Sequence, residues 1–268
     1  MLNIIRFIRR FKSMQVKVMT FNIRYDTPTD GENSFSNRKD FIKEFIDAQK
    51  PDVIGFQEVL PHVRKWLCDN LCDYTILGMG RDKDYSGESV SIAYRKEKYD
   101  LVKFDQFWLS DTPDVPGSRF GLDQSVCPRI SVQATLVSRA DGRLFTFANT
   151  HLDHVGEYAR VCGASVVMSK LISQNSRIPF LLTGDFNEHP DGNSIKEIKS
   201  ISGVHELTSG IKASEATYHN YGNITKNSKI DYIFSSGKAV KDTLIVHKDT
   251  KGKLYLSDHY PISVVAEL

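Results

Sequence analysis

Asp258 and His259 stand side by side just before an apolar run, Ile262–Ala266, that predicts the last strand of a sheet. A carboxylate that could hold a cation and an imidazole that could move a proton would then share the mouth of a packed core. Four other segments repeat the design, with polar residues attached to the end of a strand-like run: Asn22, Glu58, His151 with Asp153, and Asp185 with Asn187. Asp231 instead begins such a run.

Each feature has a chemical reading and a plain one. In Phe180-Leu181-Leu182-Thr183-Gly184-Asp185-Phe186-Asn187 the glycine allows a tight backbone turn. In a continuing strand Asp185 and Asn187 would share one face, where an acceptor and an amide donor suit a phosphate and an attacking water. An ordinary turn would use the same residues. Glu58 ends Val53-Ile54-Gly55-Phe56-Gln57, and with Asp258 it could supply the one or two carboxylates that a hard divalent cation takes. It could equally begin the loop before Pro61. The Asn22 amide could hold a carboxylate or a cation-bound water, or close a turn. His151 and His154 flank Asp153, but zinc needs more ligands at defined spacing. A phosphate-binding or structural histidine is the alternative. Aspartate is disfavoured in strands, so Asp231 needs a partner. His259 is the candidate, since a carboxylate on one ring nitrogen orients the other. Arg24, Arg38, Arg81, Arg119, Arg129 and Arg160 could each pair with phosphate oxygens. Arg24, beside Asn22, and Arg119, in a long loop, rank first.

Runs of strand length must position these groups: 16–23, 53–57, 89–94, 101–109, 130–137, 144–150, 180–183, 230–234, 243–246 and 262–266. Helical spacing predicts helices over 38–49, from Pro61, and over about 157–173. Several strands follow one another with no helix between, which excludes strict βαβ alternation. An α+β fold of two packed sheets flanked by helices fits. The segment 110–127, rich in Pro, Gly, Asp and Ser, reads as a long loop.

The 268 residues are 40% hydrophobic and 25% charged, as in globular proteins, with a net charge of +2. That lacks the strong basic footprint of a dedicated nucleic-acid binder. Cys68 and Cys72 have no second pair at zinc-site spacing, so ordinary thiols are expected. No stretch is long enough to span a bilayer. Residues 1–14 interleave basic and apolar residues, which excludes a signal peptide and leaves a frayed extension or a surface-lying amphipathic helix. Residues 15–268 read as a single catalytic domain.

The ordered set Thr20-Phe21-Asn22, Gln57-Glu58, Thr150-His151-Leu152-Asp153, Gly184-Asp185-Phe186-Asn187, Ile230-Asp231-Tyr232 and Ser257-Asp258-His259 resembles the endonuclease/exonuclease/phosphatase superfamily, the deoxyribonuclease I-like fold. The resemblance runs from about Val16 to the C-terminus. Phe21-Asn22-Ile23-Arg24-Tyr25-Asp26 and Phe107-Trp108-Leu109-Ser110 are similar to a bacterial metal-dependent hydrolase branch, itself akin to carbon-catabolite-repressor type deadenylases. The resemblance implies a four-layer α/β/β/α sandwich with two mostly antiparallel sheets. It implies that Glu58, helped by Asn22 and Asp258, holds magnesium or manganese. Asp185 and Asn187 would handle the attacking water, Asp231 would orient His259, His151 would touch a phosphate oxygen, and Glu88 would brace His151. Arg24 departs from the small or acidic residue of some repair endonucleases, so abasic-site cleavage is not expected. The implied activity is hydrolysis of a phosphoester, as phosphodiesterase or phosphatase, by a monomeric cytoplasmic protein. Nuclease action on nucleic acid and a non-catalytic binding module are the alternatives.

Overall fold

The computed structural model describes residues 13–121, 123–174 and 178–268. Its strands are β1 (Gln15–Asn22), β2 (Val53–Val59), β3 (Tyr74–Leu77), β4 (Ser89–Arg95), β5 (Tyr99–Trp108), β6 (Ile130–Ser138), β7 (Leu144–His151), β8 (Phe180–Asp185), β9 (His205–Glu206), β10 (Asp231–Ser235), β11 (Lys238–Ala239), β12 (Ile245–Val246), β13 (Thr250–Lys251), β14 (Leu254–Tyr255) and β15 (Ile262–Glu267). The helices are α1 (Phe35–Gln49), α2 (Pro61–Asn70), α3 (Glu157–Gln174) and α4 (Asn193–Ser200).

Among the described residues, one large sheet runs β11-β15-β1-β2-β4-β3, with β12 also on β15, a second runs β5-β6-β7-β8-β10-β9, and β13 and β14 form a separate pair. Each large sheet is antiparallel except for one parallel pair, β1 with β2 and β7 with β8. Period-two alternation sorts each strand between two cores. Val16 and Val18 of β1, Phe147 of β7, Leu181 of β8 and Ile233 of β10 meet in the space between the sheets. The alternate residues Met19, Phe21, Ile54 and Phe56 pack under α1 and α2. Ala148, Leu182 and Phe234 pack with residues of α3 and α4, such as Val167 and Ile195. Both faces of both sheets are therefore covered, which is why the central strands read as nearly unbroken apolar runs. The layers are helices, sheet, sheet, helices, as expected.

Some boundaries differ from the sequence reading. α1 starts at Phe35, three residues before the start read from the sequence, and ends where Lys50 turns left-handed at φ 47°. Cys72 lies beyond the end of α2, so Cys68 and Cys72 do not share a helix. β3 and α4 escape the reading because they are short, and α4 is largely polar. Met14, counted with the extension, is buried and bonds Leu268 through both backbone groups. Residues 1–12 lie outside the described residues. No helix among the described residues is long and apolar enough to cross a membrane.

Candidate active site

Strand direction gathers the polar residues at one edge of the sandwich. β1, β2, β7 and β8 run toward that edge, so their C-terminal ends deliver Asn22, Glu58, His151 and Asp185. β15 is antiparallel to β1 and β10 is antiparallel to β8. Their starts therefore reach the same edge, with Asp258 and His259 just before β15 and Asp231 opposite Asp185. Asn22, His151, Asp185 and Asp231 continue the rows of side chains that face the inter-sheet core. Glu58 does not follow its row. The pairing of β2 with β4 slips between Phe56 and Val59, and Glu58 takes φ 63°. That bulge re-aims its carboxylate into the mouth. Arg24 (φ 61°) and Asn187 (φ 47°) also hold left-handed backbone, which costs a non-glycine residue about 1–3 kcal/mol and clusters at working sites.

Asn22 ties the cluster together. Its amide donates to Glu58 Oε1 and to Asp185 Oδ2, each at 3.0 Å. Its own carbonyl accepts from the Arg24 backbone N–H at 3.0 Å. Asn22 thus serves the carboxylates as a donor, with its oxygen already engaged. Glu58 also accepts from the Tyr25 backbone N–H at 2.9 Å. β8 stops at Asp185, and Asn187 returns to it by a turn in which its N–H donates to Asp185 Oδ1 at 2.9 Å. The turn, not a continuing strand, brings these two side chains together.

The imidazoles have defined protonation geometry. His259 Nδ1 donates to Asp231 Oδ2 at 2.9 Å, and its Nε2 lies 3.7 Å from Asp185 Oδ2. Burial opposes charge on this ring, but Asp231 first, then Asp185 and Asp258, raise His259 to about 10. Burial together with Asp231 pushes Asp185 up to about 7. His151 is different. Asn187 Nδ2 donates to the Leu152 carbonyl, so the same amino group must also donate to His151 Nε2, at 3.0 Å. Burial and the nearby Arg129 and Arg81 hold His151 well below its usual range, so this ring is neutral.

Ligand atoms of Glu58, His151 and Asp185 lie within 4.8 Å of one another, as do those of Asp185, Asp231 and His259. The first group, two carboxylates and an imidazole, is close enough to hold a metal ion, and its carboxylates are the oxygen donors a hard divalent cation takes. Asp258 lines the same cleft, but its Oδ1 accepts from Ser257 and its Oδ2 faces Arg24 at 3.6 Å.

The cleft, of about 380 Å³, is lined by Glu58, Glu88, His151, Asp185, Asn187, Asp258, His259 and Arg24, but not by Asn22, Asp231, Asp153, Arg38, Arg119 or Arg160. Asn22 and Asp231 bond directly to groups that line it. Arg119 does not reach it. That side chain is exposed and donates to the Ser125 carbonyl at 2.7 Å. Glu88 does line it but grips Arg81 through two bonds of 2.9 and 3.0 Å, rather than bracing His151. Asp153 is a loop anchor that accepts from the backbone N–H groups of Ser125, Val155 and Gly156. Those bonds take its carboxyl down to about 2 against the opposing effect of burial. Arg38 is fully buried and donates to the carbonyls of Ile23, Leu256 and Asn33, a structural role.

Other residues at the site were not singled out. Tyr218 packs on His259 at 4.9 Å between ring centroids, and Cys127 lines the cleft. Beneath the site, Asn149 donates to the carbonyls of Phe56 and Ser91 and accepts from Gln57, bonding one sheet to the other. A polar residue inside an apolar run was the available signal for Asn149. Tyr218 sits in a loop with no such signal.

Residues 19–259 match the sequence pattern of the Endonuclease/Exonuclease/phosphatase family. An endonuclease/exonuclease/phosphatase structure from Bacteroides vulgatus is 32% identical, with a TM-score of 0.85 over 95% of this chain and 99% of that one. A mannosyl-6-phosphatase from Bacteroides thetaiotaomicron is 29% identical, with a TM-score of 0.82 over 94% of this chain and 100% of that one. The human Nocturnin catalytic domain shares the fold at 22% identity and a TM-score of 0.71, over 94% of this chain and 93% of that one.

Proposed function

Because this chain belongs to the endonuclease/exonuclease/phosphatase family, we propose that it hydrolyses small phosphoesters with the help of a divalent cation, magnesium or manganese. One observation carries the reading: His259, backed by Asp231, faces Asp185, and Asn22 joins Asp185 to Glu58. Glu58 would hold the cation, with Asp258 across the cleft. The cation supplies charge neutralisation on the phosphate oxygens. The protein's own groups do the rest. Asp185, locked by Asn22 and by the Asn187 N–H, holds the attacking water and accepts its proton as the new P–O bond forms. His259, an imidazolium between carboxylates at the start, stabilises the developing oxyanion and becomes neutral as it gives its proton to the departing oxygen when the old P–O bond breaks. Asn187 and the neutral His151 ring, bonded to each other, present a fixed polar wall to the phosphate. The structurally similar mannosyl-6-phosphatase acts on a phosphomonoester of a sugar, and a sugar phosphate is accordingly our first candidate substrate here.

The test is turnover of aryl phosphate, hexose 6-phosphate, aryl phosphodiester and oligonucleotide with magnesium or manganese supplied. We expect release of phosphate that EDTA stops and that Asp185→Ala lacks. Equal turnover by the wild type and Asp185→Ala would refute the proposal. Oligonucleotide cleavage alone would favour the nuclease reading. Tight metal-dependent binding without turnover would favour a binding module.

A further inference from the structure

One wall of the cleft lies beyond the residues that handle the phosphate and water. It is formed by Arg81, Glu88, Cys127, Arg129 and His154. The arginines there are not free. Arg81 is held in a two-point pair by Glu88, and Arg129 Nε faces Asp153 Oδ2 at 3.4 Å. Across the cleft Arg24 is likewise held by two bonds to Asp30, at 3.0 and 3.2 Å. Three arginines and four carboxylates line the cleft. A substrate with further negative groups would have to compete with these carboxylates for the guanidinium groups.

His154 is the exception to this pattern of committed groups. Arg129 Nη2 lies 2.7 Å from His154 Nδ1. A guanidinium only donates, so Nδ1 must accept and the neutral ring must carry its proton on Nε2. Arg129 is itself 5% exposed and anchored by Asp153, whose bonds to three backbone N–H groups fix the loop that carries His154. The tautomer is therefore built in. His154 is exposed to solvent, its Nε2–H bonds nothing among the described residues, and the residue lines the cleft. The flanking rim is apolar, with Val126 86% and Val155 61% exposed.

We propose that His154 recognises the leaving group, donating its Nε2–H to an oxygen of a neutral, hydroxyl-bearing group esterified to the phosphate, with Arg129 as the positioning residue that holds the tautomer. A hydroxyl suits this wall because it can accept from His154 while the paired ions around it stay intact. The inference rests on the phosphoester reading above and names the side chain that selects among such substrates.

The experiment compares His154→Leu and His154→Gln with the wild type, on hexose 6-phosphate and on phenyl phosphate, whose leaving group has no oxygen beyond the ester oxygen to accept the bond. Glutamine offers both an acceptor to Arg129 and a donor to the substrate. We expect His154→Leu to raise KM for the sugar phosphate about tenfold, the scale of one net hydrogen bond, with kcat held. KM for the aryl ester should stay within about twofold, and His154→Gln should recover most of the loss. Equal changes on both substrates, or no change on either, would overturn the inference while leaving the phosphoester reading standing. A wild-type protein that cleaves neither ester, with either metal, would remove both.

Discussion

Asp231→Asn tests the electrostatic core of the site. In the wild type His259 donates to Asp231 at 2.9 Å inside a fully buried cluster. Its shift from 6.5 to about 10 corresponds to about 5 kcal/mol of preference for the charged ring, at about 1.36 kcal/mol per unit. Asp231 is the largest contributor that raises it, and burial alone would push the other way. An asparagine of the same shape removes that charge and leaves only Asp185 and Asp258 to oppose burial. The ring then gives up its proton at lower pH and is a weaker charged donor to the departing oxygen. Loss of one such preorganised donor costs roughly 2.7–4 kcal/mol of barrier, so kcat should fall about 100- to 1000-fold. The assay is metal-supplemented phosphate release, with the His259 ring followed by NMR through a pH titration. Stability supplies a second readout. A raised histidine contributes stability that is complete below 6.5 and is lost as pH rises through about 10. The wild type should therefore lose more stability than the variant over that window. A variant that keeps kcat within about threefold, or whose His259 still titrates above pH 9, would refute the reasoning.

Three further outcomes follow from the geometry. Millimolar magnesium or manganese should raise the melting temperature of the wild type, since saturation at about 100 times Kd is worth about 2.7 kcal/mol. Glu58→Gln should abolish that shift, and an equal shift in both proteins would count against Glu58 as a ligand. Gly55→Ala would drive a Cβ to within 2.0 Å of Thr183 Oγ1 and 2.6 Å of Asn149 Oδ1 where the two sheets approach. Urea unfolding should show a loss of about 1–3 kcal/mol, and an unchanged midpoint would mean that the sheets part freely. His247 is buried against Phe45, bonds Ser263 Oγ at 2.8 Å and is lowered to about 4 by burial. The unfolded chain takes up that proton first, so stability is lost as pH falls from 6.5 toward 4. His247→Gln should flatten this limb of the stability curve measured by urea unfolding.

Much of the site was legible because strand periodicity is local. Val18, Thr20 and Asn22 alternate with Met19 and Phe21, so the polar end of the inward row marks where the core meets solvent. The same rule finds His151 after Phe147 and Asn149, and Asp185 after Leu181 and Thr183. It fails where a side chain leaves its row or its loop. Glu58 reaches the site only through a bulge, which nothing in Phe56-Gln57-Glu58-Val59 demands. Arg119 had the right chemistry in a loop, but that loop turns its side chain to Ser125 and solvent.

The order of motifs and the alternation of apolar residues determined the layers, the family resemblance and most of the polar residues that could act. Only the tertiary structure decided that strand ends and strand starts form one site. Parallel pairing brings the ends of β1 and β2, and of β7 and β8, to one edge, while antiparallel pairing turns the starts of β10 and β15 toward it. Strand direction is set by pairing between segments far apart in the chain, and no local pattern carries it. The same long-range packing set partners. It turned Asn22 into a donor between two carboxylates, committed Arg24 and Arg81 to Asp30 and Glu88, and left the Nε2–H of His154 without a partner among the described residues. A residue's type fixes what it can donate or accept, but its partner depends on which strand or loop arrives beside it.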